Sequence, residues 1–411
     1  MDPKIRYEYS YFVHTFIINE RRYTRYLSKL LRDKRFNLRI FEKQRDLDLY
    51  THFLPKIRNF LFKTFELSKD SMQELVALPI ETRAALLAEY PSLTFEYNLE
   101  KDIQGKTIDE NSIFFKIQKI GLVLFNTGIC FLYLKTNIEN RNSFSDLLDF
   151  NYKFRDINQE YSNLKNYDNI KVQASSFDDI VELKDFITDI TGPNLDALKL
   201  NLDVERFYTY SYACIEQNAW NMNNSFDGVK KDFNKFINIL PSSESKESEN
   251  YENIKVVSNG KYAKFGISKL GVNLFSSDAD INNYTVLPSD FENQYFYTYI
   301  LALYFKTYLK KLNYEFKNST NIEKVRKKFV DFTKGLMIQE ITSDDMGSLI
   351  YGDMKEVLEI DKIYAEVKNK YDILYRESNL EKNEKISIVI VGVLIVTLIF
   401  NILNFIMYFG K

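Results

Sequence analysis

Between Ile386 and Phe409 no side chain carries a charge, in a chain of 411 residues of which 27% are charged. Read as a helix, these roughly 24 residues extend about 36 Å at 1.5 Å per residue. A hydrocarbon core about 30 Å thick is the environment that accepts such a rod. The pattern predicts one C-terminal transmembrane helix over 386–409 and a tail-anchored, single-pass protein. Lys382 and Lys385 precede the run and only Lys411 follows it. By the positive-inside rule this sets the N-terminal part in the cytoplasm and the anchor in the cytoplasmic (inner) membrane.

Within the run, Ser387, Ile390, Leu394, Thr397, Asn401, Asn404 and Tyr408 follow one another at helical spacings of 3 and 4. They form one stripe that holds the strongly polar side chains of the segment. An amide turned toward lipid leaves polar atoms unpaired, at a cost of several kcal/mol. The stripe is therefore expected to line a helix interface or a pore. With one span per chain, the other helices would come from further copies, which predicts a homo-oligomer in a lipid bilayer.

Glycine (13) and proline (7) are scarce in the chain, which favours long uninterrupted elements. KIRYEYSYFVHTFIIN is aromatic and β-branched and predicts a strand. RFYTYSYACIE predicts another, and its aromatic alternation echoes the first. KIQKIGLVLF and ICFLYLKTNI flank Asn126-Thr127-Gly128 and predict a hairpin in which Gly128 takes positive φ. Ser143 with Asp146 marks a helix start, as do Thr320 with Glu323 and the run Ser343-Asp344-Asp345. FENQYFYTYILALYFKTYLKKLNYEF is expected to pack against other helices, because Glu292, Asn293, Lys306, Lys310 and Lys311 interrupt it. Ile360, Tyr364, Val367, Tyr371 and Leu374 keep the spacing of a helix that pairs with others. From Arg21 to Arg45 basic and apolar residues alternate helically. Arg21, Arg22, Arg25, Arg32 and Arg35 are either a solvated face or a patch for a small anionic or nucleotide ligand.

Several stretches together resemble the CorA-like metal-ion transporter superfamily, in its divergent bacterial branch. They are KIGLVLFNTGICFLYLKTNIENRNSFSDLLDFNYKFRDI, YAKFGISKLGVNLF, YFYTYILALYFKTYLKKL, and ITSDDMGSLIYGDMKEVLEIDKIYAEVKNKYDILY leading into the uncharged run. The resemblance implies an α+β chain with a cytosolic α/β domain over 1–285, a helical funnel or stalk over 286–385 and the span over 386–409. It further implies a pentamer passing divalent cations, with Mg²⁺ or another divalent cation as transported or regulatory ion. The chain departs from that family in having one span and no Gly-Met-Asn loop. Related CorA-like proteins are membrane effectors of bacterial antiviral systems gated by a nucleotide. This makes ligand sensing the alternative function, with a tail-anchored interaction protein without transport as a third.

Other chemistry finds little material. Lys plus Arg (55) nearly balance Asp plus Glu (57), giving a net charge of −2, so no nucleic-acid partner is expected. Cys130 and Cys214 describe neither a disulfide framework nor a zinc site and read as small buried hydrophobes. His14 and His52 are the two histidines, too few for a His-rich metal centre or a Ser/His nucleophile pair, so no enzyme and no covalent cofactor are expected. Gly105-Lys106-Thr107 mimics the end of a phosphate loop, but Glu100 stands at the first glycine position, so a polar turn is expected. Asp278, Asp280 and Asn282 open like a calcium loop, yet Asn283 and Ser289 stand where glycine and a bidentate acid belong.

Overall fold

The computed structural model describes residues 2–107, 112–139, 143–157, 170–173, 180–192, 194–221, 225–244, 254–337 and 340–409. The strands are β1 (Ile5–Ile17), β2 (Phe36–Leu38), β3 (Ser92–Tyr97), β4 (Ile103–Lys106), β5 (Phe114–Phe125), β6 (Ile129–Ile138), β7 (Lys171–Gln173), β8 (Val181–Glu182), β9 (Tyr208–Ile215), β10 (Lys255–Ser258), β11 (Ala263–Ser268) and β12 (Gly271–Ser277). Early helices are α1 (Tyr23–Arg32), α2 (Leu47–His52), α3 (Pro55–Leu61), α4 (Lys69–Ala77) and α5 (Ile80–Leu87). Between strands lie α6 (Phe144–Phe154), α7 (Leu183–Thr191), α8 (Leu195–Lys199) and α9 (Lys230–Asn238). The chain continues through α10 (Asn282–Thr285), α11 (Leu287–Asp290), α12 (Phe296–Asn318), α13 (Ile322–Gly335), α14 (Asp345–Val357) and α15 (Ile360–Phe409).

The chain divides into two compact units, Met1–Lys310 with Ile338–Asp361, and Lys311–Met337 with Lys362–Lys411. The first is mixed α/β around a 12-stranded sheet, ordered β10-β11-β12-β9-β1-β6-β5-β4-β7-β8. Its ladders are antiparallel except β12 with β9. β5 is long enough to pair along one edge with both β4 and β3, while β2 continues outward from β3. The predicted hairpin is β5–β6, and Gly128 has φ of 80°. The two tyrosine-rich segments are neighbours: β1 and β9 run antiparallel with Tyr9 opposite Tyr212 and Tyr11 opposite Tyr210.

Both faces of this sheet are covered, so β1 reads as a nearly continuous buried run rather than an alternating one. On one face Phe12 meets Phe150 and Phe154 of α6 at centroid distances of 5.9 and 4.3 Å. On the other, Tyr11 lies 4.7 Å from Phe296, and Tyr210 stacks on Phe291 at 4.0 Å. A single π-helical turn over Phe291–Tyr295 precedes α12. Tyr9 donates to the Pro288 carbonyl at 2.5 Å and Tyr210 to that of Phe291 at 2.6 Å. Buried phenols need such acceptors, and helix-start carbonyls supply them. The first part of α12 thus packs on the sheet, where the sequence suggested helix partners.

In the second unit Phe329 of α13 lies 5.6 Å from Tyr364 and 5.2 Å from Tyr371 of α15, so two residues of the paired-helix spacing meet a helix. Lys328 pairs with Glu315 at 3.0 Å. Helix α13 is capped by Asn321, whose side chain accepts from the Lys324 N–H at 3.0 Å, and not by Thr320. Ser143 and Asp344 cap α6 and α14 as the sequence suggested. Gly105 and Lys106 lie in β4 and not in a turn.

The terminal span requires correction. Among the described residues no helix is long and apolar enough to cross a membrane. The uncharged segment belongs to the longer helix α15, whose first part is highly charged. The α+β class with a transmembrane helix over 386–409, the tail anchor and the inner-membrane location therefore have no support. Nothing among the described residues gives evidence for the transport, the magnesium or the homo-oligomer that the resemblance implies. Of the predicted stripe, Ser387 and Thr397 donate to the Asn383 and Val393 carbonyls of their own helix, at 2.8 and 2.9 Å. Ile390, Leu394 and Asn401 are exposed. The side chains of Asn404, Tyr408, Lys382 and Lys385 lie outside the described residues.

Candidate functional site

Helix α1 is amphipathic. Tyr23, Leu27 and Leu30 are buried at spacings of 4 and 3, which fixes the opposite face toward solvent. On that face Arg22, Arg25, Lys29 and Arg32 follow at 3, 4 and 3, and all four line an open cleft of about 1300 Å³. The row is roughly 15 Å long at 1.5 Å per residue. Of the five arginines singled out by sequence, Arg22, Arg25 and Arg32 line the cleft, while Arg21 and Arg35 do not. Lys29 was missed, although the helical spacing of its neighbours points to it.

The floor comes from Ile17 and Ile18, where β1 ends. Ile18 is held from behind by the β5–β6 hairpin, its N–H donating to the Gly128 carbonyl at 2.8 Å. A Cβ on Gly128 would stand 2.0 Å from the Ile18 carbonyl oxygen, so glycine is required there for closeness as well as for its φ.

The far wall comes from the end of α7 and from α8, through Thr191, Asn194, Asp196 and Lys199. Asn194 sits in the left-handed region at φ 43°. It ties this wall to β1 by accepting from the Ile17 N–H and donating to the Thr15 carbonyl, both at 3.0 Å. Tyr26 donates to the Ile190 carbonyl at 3.1 Å and joins α1 to α7. Arg35 pairs with Asp33 at 2.8 Å and Asp189 at 2.9 Å. The hydrogen bond to Arg35 holds the Asp33 carboxyl below its ordinary value against the opposing effect of burial. Arg35 is therefore a strut between α1 and α7.

Two carboxylates share the cleft with the cations. Glu81 of α5 pairs with Arg32, and Asp196 pairs with Lys199 at 2.6 Å. Among the described residues Arg22, Arg25 and Lys29 have no carboxylate within ion-pair distance. Three unmatched cations beside hydroxyls of Thr24, Ser28 and Thr191 suit a phosphate-like anion. Lys199 and Glu81 carried no signal in the sequence, since only the tertiary fold brings α5 and α8 beside α1.

A second polar cluster lies on the opposite face of the sheet. Tyr11 donates to Glu292 Oε1 at 2.7 Å and Lys135 to Oε2 at 2.6 Å. Burial pushes the Glu292 carboxyl up, but Lys135 and the Tyr11 hydroxyl outweigh it and leave the group below its ordinary value. The adjoining cavity of about 30 Å³ has room for water and not for a substrate. His14 and His52 are buried, and among the described residues no group of three or more His, Cys, Asp or Glu is placed to hold a metal ion. Cys130 and Cys214 are buried free thiols. No family model matches the chain, and neither the curated proteins nor the solved structures contain a match to it.

Proposed function

We propose that the protein is a binding module for a small phosphate-bearing anion, nucleotides among them, held in the cleft along α1. The observation that carries this reading is the row Arg22, Arg25, Lys29 and Arg32 on one helix face lining a cleft of about 1300 Å³. That volume exceeds the ~300–1,000 Å³ usual for small-ligand sites, which leaves room for an extended ligand. Cations placed on a rigid helix can grip phosphate oxygens without being reordered.

Isothermal titration with ATP and inorganic pyrophosphate at about 150 mM salt tests this. Binding should weaken at least tenfold in Arg25→Glu, since reversal removes one close charge-assisted contact and adds repulsion. Arg21→Glu makes the same change of charge outside the cleft wall and should matter far less. The proposal fails if the wild-type chain binds neither anion, or if the two variants lose affinity equally.

A further inference from the structure

The Arg32 end of the basic row differs from the rest. Arg22, Arg25 and Lys29 make no ion pair among the described residues, whereas Arg32 is already matched by Glu81. Helix α5 packs directly on α1, with Ala84 and Leu87 buried on the side of α5 turned to the core. Glu81 stands at the start of α5, where its position is fixed by that packing. The pair itself is open to water, with side-chain exposures of 60% for Arg32 and 65% for Glu81. Exposed ion pairs of this kind are weak and are readily exchanged.

A carboxylate held over one end of a cation row acts on ligands according to their length. A single phosphate can sit on Arg22, Arg25 and Lys29 and leave Glu81 where it is. A longer chain of phosphates that runs on toward Arg32 meets Glu81 and must displace it. Building on the reading of the cleft given above, we propose that Glu81 is a resident counter-anion and that the cleft is made for an extended, multiply charged phosphate chain that takes its place on Arg32. Glu81 is thus a specificity-determining residue. It gives back part of the affinity for the long anion and leaves short anions, which do not reach Arg32, unaffected.

Titrations with inorganic phosphate, pyrophosphate and tripolyphosphate at one ionic strength, on the wild-type chain and on Glu81→Gln and Arg32→Gln, test the assignment. In the wild type, affinity should rise in that order. Glu81→Gln should bind tripolyphosphate about threefold tighter, the scale of an exposed pair released from competition, with phosphate unchanged. Arg32→Gln should bring tripolyphosphate down to the pyrophosphate level. Equal gains for phosphate and tripolyphosphate in Glu81→Gln, or no gain at all, overturn the role of Glu81 while leaving the cleft as an anion site. Absence of binding for every anion in all three proteins removes both readings. ATP run beside tripolyphosphate separates the sources of the chain: equal affinity assigns the site to the phosphates alone, tighter ATP to a nucleotide, and both agree with the proposal. An unchanged unfolding midpoint shows that the substitutions leave the fold intact.

Discussion

Replacing Gly128 by alanine should be among the most damaging single-methyl additions in the chain, and its cost can be built from parts. The residue has φ of 80°, a conformation that costs an L-residue about 1–2 kcal/mol. The added Cβ would lie 2.0 Å from the Ile18 carbonyl oxygen. That neighbour is backbone, so relief requires the hairpin to move off β1, at about 1–3 kcal/mol for overpacking. Such movement also stretches the 2.8 Å bond from the Ile18 N–H to the Gly128 carbonyl, worth about 1 kcal/mol net. The sum is about 3–6 kcal/mol. Gly260 provides the control: its φ is 69°, yet nothing lies within 4 Å of an added Cβ. Gly260→Ala should cost only the conformational part, about 1–2 kcal/mol. Urea unfolding read by Trp220, the single tryptophan and buried, reports on the sheet-bearing unit for both variants. Equal losses in the two variants would show that the close approach of hairpin to β1 does not operate, and the account of the cleft floor would fall with it.

Two further outcomes follow from buried polar groups. His14 is buried, which lowers its pKa from 6.5 to about 4. The unfolded chain therefore binds a proton that the folded chain refuses, and stability falls as pH drops from about 6.5 to about 4. At 1.36 kcal/mol per unit the loss is about 3 kcal/mol, and His14→Gln should remove that part of the pH dependence from urea midpoints. Parallel curves for the two proteins would contradict it. Glu8, raised to about 8 by burial, acts in the opposite direction over part of the same window, so the difference between the proteins is the quantity to read. Asn151 accepts from Ser10 at 2.8 Å and donates to Ser211 at 3.1 Å, beneath the sheet. Asn151→Ala should cost about 2 kcal/mol by calorimetry or urea. A loss within about 0.5 kcal/mol would mean that the Ser10–Ser211 contact alone satisfies the network.

Much of the local structure was legible in the chain. Aromatic and β-branched runs gave β1 and β9, a glycine at a turn gave the β5–β6 hairpin, and oxygen-bearing caps gave the starts of α6 and α14. These are short-range properties, fixed by dihedral preference and by hydrogen bonds within a few residues. The capping error at Thr320 is a slip of one residue, since Asn321 offers the backbone the same kind of acceptor. Placing Gly105 and Lys106 in a turn failed for another reason. A glycine beside a lysine looks like a loop until a neighbouring strand claims its backbone, and here β5 does so while the Phe115 ring fills the space a Cβ would need.

The terminal segment shows how far a one-dimensional pattern reaches. An uncharged run fixes a helix, and α15 is one, but length and composition do not fix its surroundings. The basic face of α1 was likewise written in the sequence, because a spacing of three and four needs no partner to define a helix face. That the face becomes one wall of a cleft was decided by the fold. Asn194 ties α8 to β1, α5 settles on α1, and Lys199 and Glu81 arrive from positions far along the chain. Periodicity sets which side of an element seeks water. Only long-range packing, which depends on all the elements at once, decides what stands opposite.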